Sequence, residues 1–175
     1  TSVFYAQSGK GALEKALAVL EEGKSIALVT DAGTPAISDP GMVLVDKVKT
    51  VFGDSAVVAL AGPSALTTAL SASGLDTSQF VFLGFLPHKK GRETLFKEIV
   101  ESKSTVVFYE SVHRIEKTLE KLAEILDEKR RVVVARELTK LHEEVVRGNA
   151  KEVKEYFEKN KDKIRGEFVV IVERP

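Results

Sequence analysis

The sequence predicts an α/β fold in two parts. Short apolar runs of strand length alternate with helical repeats of apolar residues along the chain, the pattern of layered α/β domains. Two consecutive runs in the first half end in Gly/Pro loops that open helices. The composition then shifts near Ser78, which divides the chain into residues 1–78 and 79–175. With 175 residues, 43% hydrophobic and 30% charged, there is enough chain for a real core.

In order, Leu13, Ala16, Leu17 and Leu20 fall at helical spacing with Gly23 as a stop, and Ser25 to Val29 reads as a buried strand. Val43, Leu44, Val48 and Val51 make a second helix ending at Gly53, followed by a short strand from Ala56 to Leu60. Pro63 suits a first helical position, and Ala65, Leu66, Ala69 and Leu70 supply a buried stripe. Leu75 to Gln79 is a hinge. Beyond it, Phe80 to Leu86, Thr105 to Tyr109, Arg131 to Ala135, Glu143 to Arg147 and Glu167 to Val172 are expected strands, and a mixed sheet follows from their order. Between them Val112, Ile115, Leu119, Leu122 and Leu126 mark an amphipathic helix. Ala150, Val153, Tyr156 and Phe157 line another.

Composition excludes several classes. No run approaches the roughly 20 apolar residues of a membrane span. Cysteine is absent, so there is no disulfide framework, thiolate nucleophile or thiolate metal site, and a cytoplasmic location is expected. With only three histidines, no metal site is expected. Basic and acidic side chains both number 26, so no overall nucleic-acid footprint exists. Residues 1–78 nevertheless carry 5 basic and 8 acidic side chains, leaving a modest basic excess in the remainder.

The stretch VTDAGTPAISDPG, Val29 to Gly41, is the centre of the reading. Its glycines and prolines make a stiff loop whose backbone a ligand can approach. Asp39 as an N-cap before Pro40 explains the end of the stretch, but DAGTPAIS is longer than capping needs. The second loop, AGPSALTTALSASG, also opens a helix, and amides from both could converge on one crevice. Ser8 to Gly11 lacks the spacing of a phosphate loop. PHKKGRE, Pro87 to Glu93, gathers four potentially cationic side chains, His88, Lys89, Lys90 and Arg92.

VTDAGTPAISDPG, AGPSALTTALSASGL, FLGFLPHKKGRE, VVFYESVHRI and ARELTKLHEEVVRG together strongly resemble the ribosomal RNA small-subunit methyltransferase I family of the tetrapyrrole methylase superfamily. The motifs run in family order from about Gly23 to the C-terminus. The resemblance implies two α/β domains with S-adenosylmethionine in the cleft between them, methyl transfer to a cytidine ribose 2′-hydroxyl in small-subunit (16S) ribosomal RNA or the 30S subunit, and a homodimer. By motif match, Ala32, Gly33, Thr34, Pro35 and Ile37 lie along the cofactor, with Gly62, Pro63, Ser64 and Ala65 as a second wall. Tyr109, Glu110, Ala135, Gly166 and Glu167 cover it from the second domain. Family members open with a first strand carrying a VATPIGN-like motif, which this chain lacks. The expectation is therefore a truncated N-terminal domain, with cofactor binding and activity of this chain in question.

A ribose hydroxyl is a poor nucleophile, so its methylation needs in-line positioning and can use a base or charge-stabilising partner. Glu110, Arg136 and Glu137 are the catalytic candidates, with His113, Arg114 and Lys140 beside them. Glu110 could instead pair with Arg114. His88, Lys89, Lys90 and Arg92 are the candidates for RNA phosphate contact. Two other readings compete: a tetrapyrrole or protein side-chain methyltransferase of the same superfamily, and a non-catalytic RNA- or ligand-binding module.

Overall fold

The computed structural model of the chain describes residues 10–175. It divides into two compact units, a first ending at Ser64 and a second spanning Ala65–Pro175. The division falls before the helix at Ala65 rather than near Ser78. That helix buries Ala69 and Leu70 on the sheet of the second unit, so it belongs there.

The first unit holds α1 (Lys10–Glu21) and α2 (Gly41–Phe52), with a 3-10 turn at Asp54–Ala56. The helices form where the apolar spacing places them, and Gly53 closes α2 at φ 87°, returning its N–H to Lys49 O. The two expected strands do not form. Among the described residues, 24–30 and 57–64 have no ladder partner, and Val29, Val58 and Leu60 are 78%, 79% and 83% exposed. Apolar β-branched sequence gives a segment strand character, but a strand exists only when a neighbour takes its backbone hydrogen bonds.

The second unit contains α3 (Ala65–Ser73), β1 (Phe80–Phe85), α4 (Arg92–Glu101), β2 (Thr105–Ser111), α5 (Ile115–Ile125), β3 (Arg131–Arg136), β4 (Glu144–Asn149), α6 (Ala150–Lys159) and β5 (Glu167–Val172). All five strands expected after residue 79 are present. They form one mixed sheet in the order β1-β2-β5-β3-β4. β1 and β2 are parallel; β5 runs antiparallel to both β2 and β3, and so lies between them. The ends of β1, β2 and β3 and the beginnings of β4 and β5 therefore share one end of the sheet.

Alternation along the strands separates two cores. Val106, Phe108, Val132, Val134, Phe168 and Val170 face α4, α5 and α6, where Phe96, Ile99, Ile115, Leu119, Leu122, Val153 and Phe157 close the larger core. Val107, Val133, Ala135, Val169 and Ile171 face α3 through Ala69 and Leu70. Because each strand of the centre is buried on both faces, its sequence reads as a continuous apolar run.

Candidate functional site

In the first unit the two motif loops meet. Thr34 Oγ1 donates to Pro63 O at 3.0 Å. Asp39 braces the first loop from within, accepting from Thr30 Oγ1, from Ala36 N and from Gly41 N at 3.2, 3.3 and 2.8 Å. α2 begins one residue later than expected, with Pro40 rather than Asp39 at its N-cap, yet the Asp39 carboxylate still takes the first helical N–H. Ala32, Gly33 and Ile37 are exposed, Thr34 and Pro35 half-buried. Gly62 and Pro63 are exposed and Ser64 is half-buried. A Cβ at Gly62 would touch nothing, and one at Gly33 only Pro63 O at 3.9 Å, so the backbone at both glycines is open to a ligand.

In the second unit the sheet register brings Tyr109, Ala135, Gly166 and Glu167 to one end: Tyr109 and Ala135 both pair with Val169, and Ser111 pairs with Glu167. Tyr109 and Ala135 face the α3 side. Ala65 is exposed at the start of α3. The Tyr109 ring packs edge-on against Phe82, with centroids 5.0 Å apart, and tilts against Phe85. Burial pushes its hydroxyl above the usual tyrosine range, opposed by a hydrogen bond with the Leu66 backbone.

The turn after β3 is strained. Glu137 and Thr139 have φ of 48° and 63°; with Ala36 and Ser38 in the first loop, at 67° and 53°, they are the non-glycine residues of positive φ among the described residues. Such strain concentrates at functional sites. Glu137 is held there by Gly166 and Glu167: its N–H donates to Glu167 O at 3.1 Å, and its Oε1 accepts Glu167 N at 3.0 Å and Lys140 Nζ at 3.0 Å. The Glu167 N–H and then Lys140 hold the Glu137 carboxyl below the usual range. Lys140 also pairs with Glu167 at 2.9 Å.

Glu110 does not join the Tyr109 face. As the next residue on the strand it points to the opposite side, among α4 and α5, with its side chain fully buried. Arg114 Nη2 lies 2.8 Å from Oε1, Arg92 Nη2 3.3 Å from Oε2, and Thr118 Oγ1 donates to Oε2 at 2.7 Å. The pairing with Arg114 that spacing allowed is thus present. Arg136 is also buried, its Nε donating to Glu144 Oε2 at 2.9 Å. Glu144 Oε1 accepts from Tyr156 OH and from Lys163 Nζ, each at 2.5 Å. Burial raises the Glu144 carboxyl, but the bonds from Lys163, Tyr156 and Arg136 outweigh it and hold it at about 2.

The basic loop between β1 and α4 exposes His88, Lys89 and Lys90, whereas Arg92 is turned inward onto Glu110. His113 and His142 are exposed in the loops after β2 and β3, so all three histidines lie at this sheet end. Sequence reasoning missed Thr118 as a partner of Glu110, and Tyr156 and Lys163 as partners of Glu144, because none of them carries a motif; Glu144, expected in a solvated turn with His142 and Glu143, is instead the half-buried partner of Arg136. Two hollows lie elsewhere. One, of about 390 Å³, is lined by Phe96, Val100, Lys121 and Ile125; the other, of about 730 Å³, lies at the opposite sheet end by Arg130 and Glu173.

Residues 7–154 match the family model of tetrapyrrole (corrin/porphyrin) methylases. The chain is 41% identical over 169 residues to the ribosomal RNA small subunit methyltransferase I of Thermotoga maritima, covering 97% of this chain and 74% of that protein. It is 45% identical to the protein of the same name from Escherichia coli O157:H7, across 91% of this chain and 56% of that one. Among solved structures it resembles the cobalamin biosynthetic enzyme cobalt precorrin-4 methyltransferase, with a TM-score of 0.67 and 19% identity over 95% of this chain and 72% of that chain. The mixed sheet and the order of the motifs agree with these likenesses, and the chain belongs to the tetrapyrrole methylase family, within its ribosomal RNA small subunit methyltransferase I branch.

Proposed function

We propose that the chain carries out S-adenosylmethionine-dependent 2′-O-methylation of a cytidine ribose in small-subunit ribosomal RNA. The observation that carries this reading is the arrangement at the sheet end, where the Tyr109, Ala135 and Gly166 surface lies on the same end as the exposed basic loop His88 to Lys90. Relatives named for ribosomal RNA methylation make RNA the preferred substrate. A homodimer is part of the proposal.

Within the first unit, the open backbone at Gly33 and Gly62 suits close approach of the cofactor's polar groups. Within the second, the half-buried Tyr109 ring offers a flat aromatic surface of the kind that such a group takes. Bound, the cofactor supplies a methyl group already activated on a sulfonium. What the protein adds is position: the carboxylates of Glu110 and Glu137 and the guanidinium of Arg136 are each held by ion pairs, which suits them to fixing loops. Alignment of a hydroxyl for in-line attack can supply most of the acceleration without a dedicated base.

Calorimetric titration with S-adenosylmethionine, followed by labelled methyl transfer to small-subunit RNA and to 30S subunits, tests the reading. Binding and transfer to a cytidine ribose are expected; a cofactor-loaded protein that methylates neither substrate overturns it. Because the solved structure named above acts on a precorrin, a tetrapyrrole substrate is the second reading, and transfer to bare tetrapyrrole in the same assay would favour it. Replacing Lys89 and Lys90 with alanine is expected to weaken RNA binding and to reduce its salt slope by about 1–2.

A further inference from the structure

We infer that Glu110 is a positioning residue for the basic loop, a buried anion that fixes how His88, Lys89 and Lys90 are presented to RNA. The inference rests on the RNA reading above. The loop leaves β1 at Leu86 and enters α4 at Arg92. Both ends are tied to Glu110 through a guanidinium. Arg114 donates from Nη1 to Leu86 O at 2.6 Å while its Nη2 sits 2.8 Å from Glu110 Oε1. Arg92 donates from Nη1 to Pro87 O at 3.3 Å while its Nη2 reaches Glu110 Oε2, also at 3.3 Å. Thr118 Oγ1 joins the two, accepting from Arg92 at 2.6 Å and donating to Glu110. The Ser111 N–H completes the shell at 2.8 Å.

The result closes a ring from Leu86 through Arg114, Glu110 and Arg92 back to Pro87. The segment it encloses is short, turns at Gly91 with φ 86°, and projects exposed cations. A guanidinium can bridge a carbonyl and a carboxylate at once because its donors are spread in a fixed fork, which an ammonium cannot reproduce. Holding the loop in its binding shape removes the ordering cost that a floppy loop would meet on contact with phosphate.

Electrostatics alone and positioning predict opposite signs for one substitution. Glu110→Gln makes the loop region more positive, so a purely electrostatic role predicts equal or tighter RNA binding. Positioning predicts binding weaker by about five- to tenfold, with S-adenosylmethionine affinity unchanged. Affinity of the whole chain for small-subunit RNA would be measured against salt, beside thermal melting and cofactor calorimetry. Thr118→Val, which removes the joining hydroxyl without changing charge, decides the matter if Glu110→Gln does not fold. Weaker RNA binding by a folded, cofactor-competent variant supports the inference. Unchanged or tighter binding overturns it, while the Lys89→Ala/Lys90→Ala pair still losing affinity would leave the RNA reading intact. If that lysine pair also binds as the parent does, the RNA reading of the loop falls and the inference with it.

Discussion

Gly166 and Glu137 constrain one another. Gly166 sits at φ +80°, and a Cβ built on it would lie 2.0 Å from Glu137 Oε1, far inside contact distance. Gly166→Ala must therefore both strain its backbone and expel the carboxylate that holds the start of β5. A loss of roughly 2–4 kcal/mol is expected in denaturant unfolding. With Glu137→Ala already in place the clash disappears, and the same change should cost only about 1 kcal/mol. Equal costs in both backgrounds would show that the two residues do not touch. Cofactor affinity should fall with the single substitution, since the turn lies beside Tyr109 and Ala135.

At the scale of elements, α6 is fixed from two directions. Asn149 and Glu152 form a capping box: the Asn149 side chain accepts from Lys151 N and Glu152 N, and Glu152 Oε2 accepts Asn149 N. Asn149→Ala should cost about 1 kcal/mol. The second tie is Glu144, which joins β4 to Arg136 on β3 and to Tyr156 and Lys163 at the helix and the turn beyond it. Its carboxyl is lowered from 4.5 to about 2. A depressed acid stabilises the fold above its unfolded value and loses that contribution as pH falls through the folded one. The window is thus about pH 4.5 down to about 2, and the loss across it is about 2–3 kcal/mol. Melting of Glu144→Gln should be lower than that of the parent at neutral pH and less dependent on pH within this window. Parallel curves would refute the assignment. α4 has its own tie in Arg130, which donates to Ile99 O, Val100 O and Glu173 O and so caps α4 against the end of β5.

Across the whole molecule the two units differ in kind. The second has central strands buried on both faces, whereas the apolar segments of the first lack ladder partners among the described residues. Hydrogen exchange should therefore be slowest at β2, β5 and β3 and many orders faster over residues 24–30 and 57–64. Protection of those two segments comparable to that of β5 would mean that they are paired in solution. Legibility from sequence follows the same division. The strands β1, β2, β3 and β5 are readable because each is a dense β-branched or aromatic run, β4 from its shorter Val145–Val146 pair, and α5 because its apolar repeat is strict. The apolar runs of the first unit do not become strands because an apolar run specifies willingness to pair without supplying the neighbour.

What the sequence by itself determined is local or carried by motifs: the α/β class, the positions of the helices, the Gly/Pro loops around Gly33 and Pro63, and the family, which five motifs in order make specific. Side-chain direction at the site was decided by tertiary structure. Tyr109 and Glu110 are adjacent in sequence and the motif match puts both on the cofactor, but the pleat sends them to opposite faces of the sheet, one toward α3 and the other into a clamp of two arginines. The charge run of its loop makes Arg92 a candidate phosphate ligand, yet it is drawn inward by Glu110, 18 positions away. Spacing along the chain records periodicity, not which distant charge a side chain will find; for Arg92 that is settled only when β1 pairs in parallel with β2 and brings the loop after Leu86 beside Glu110.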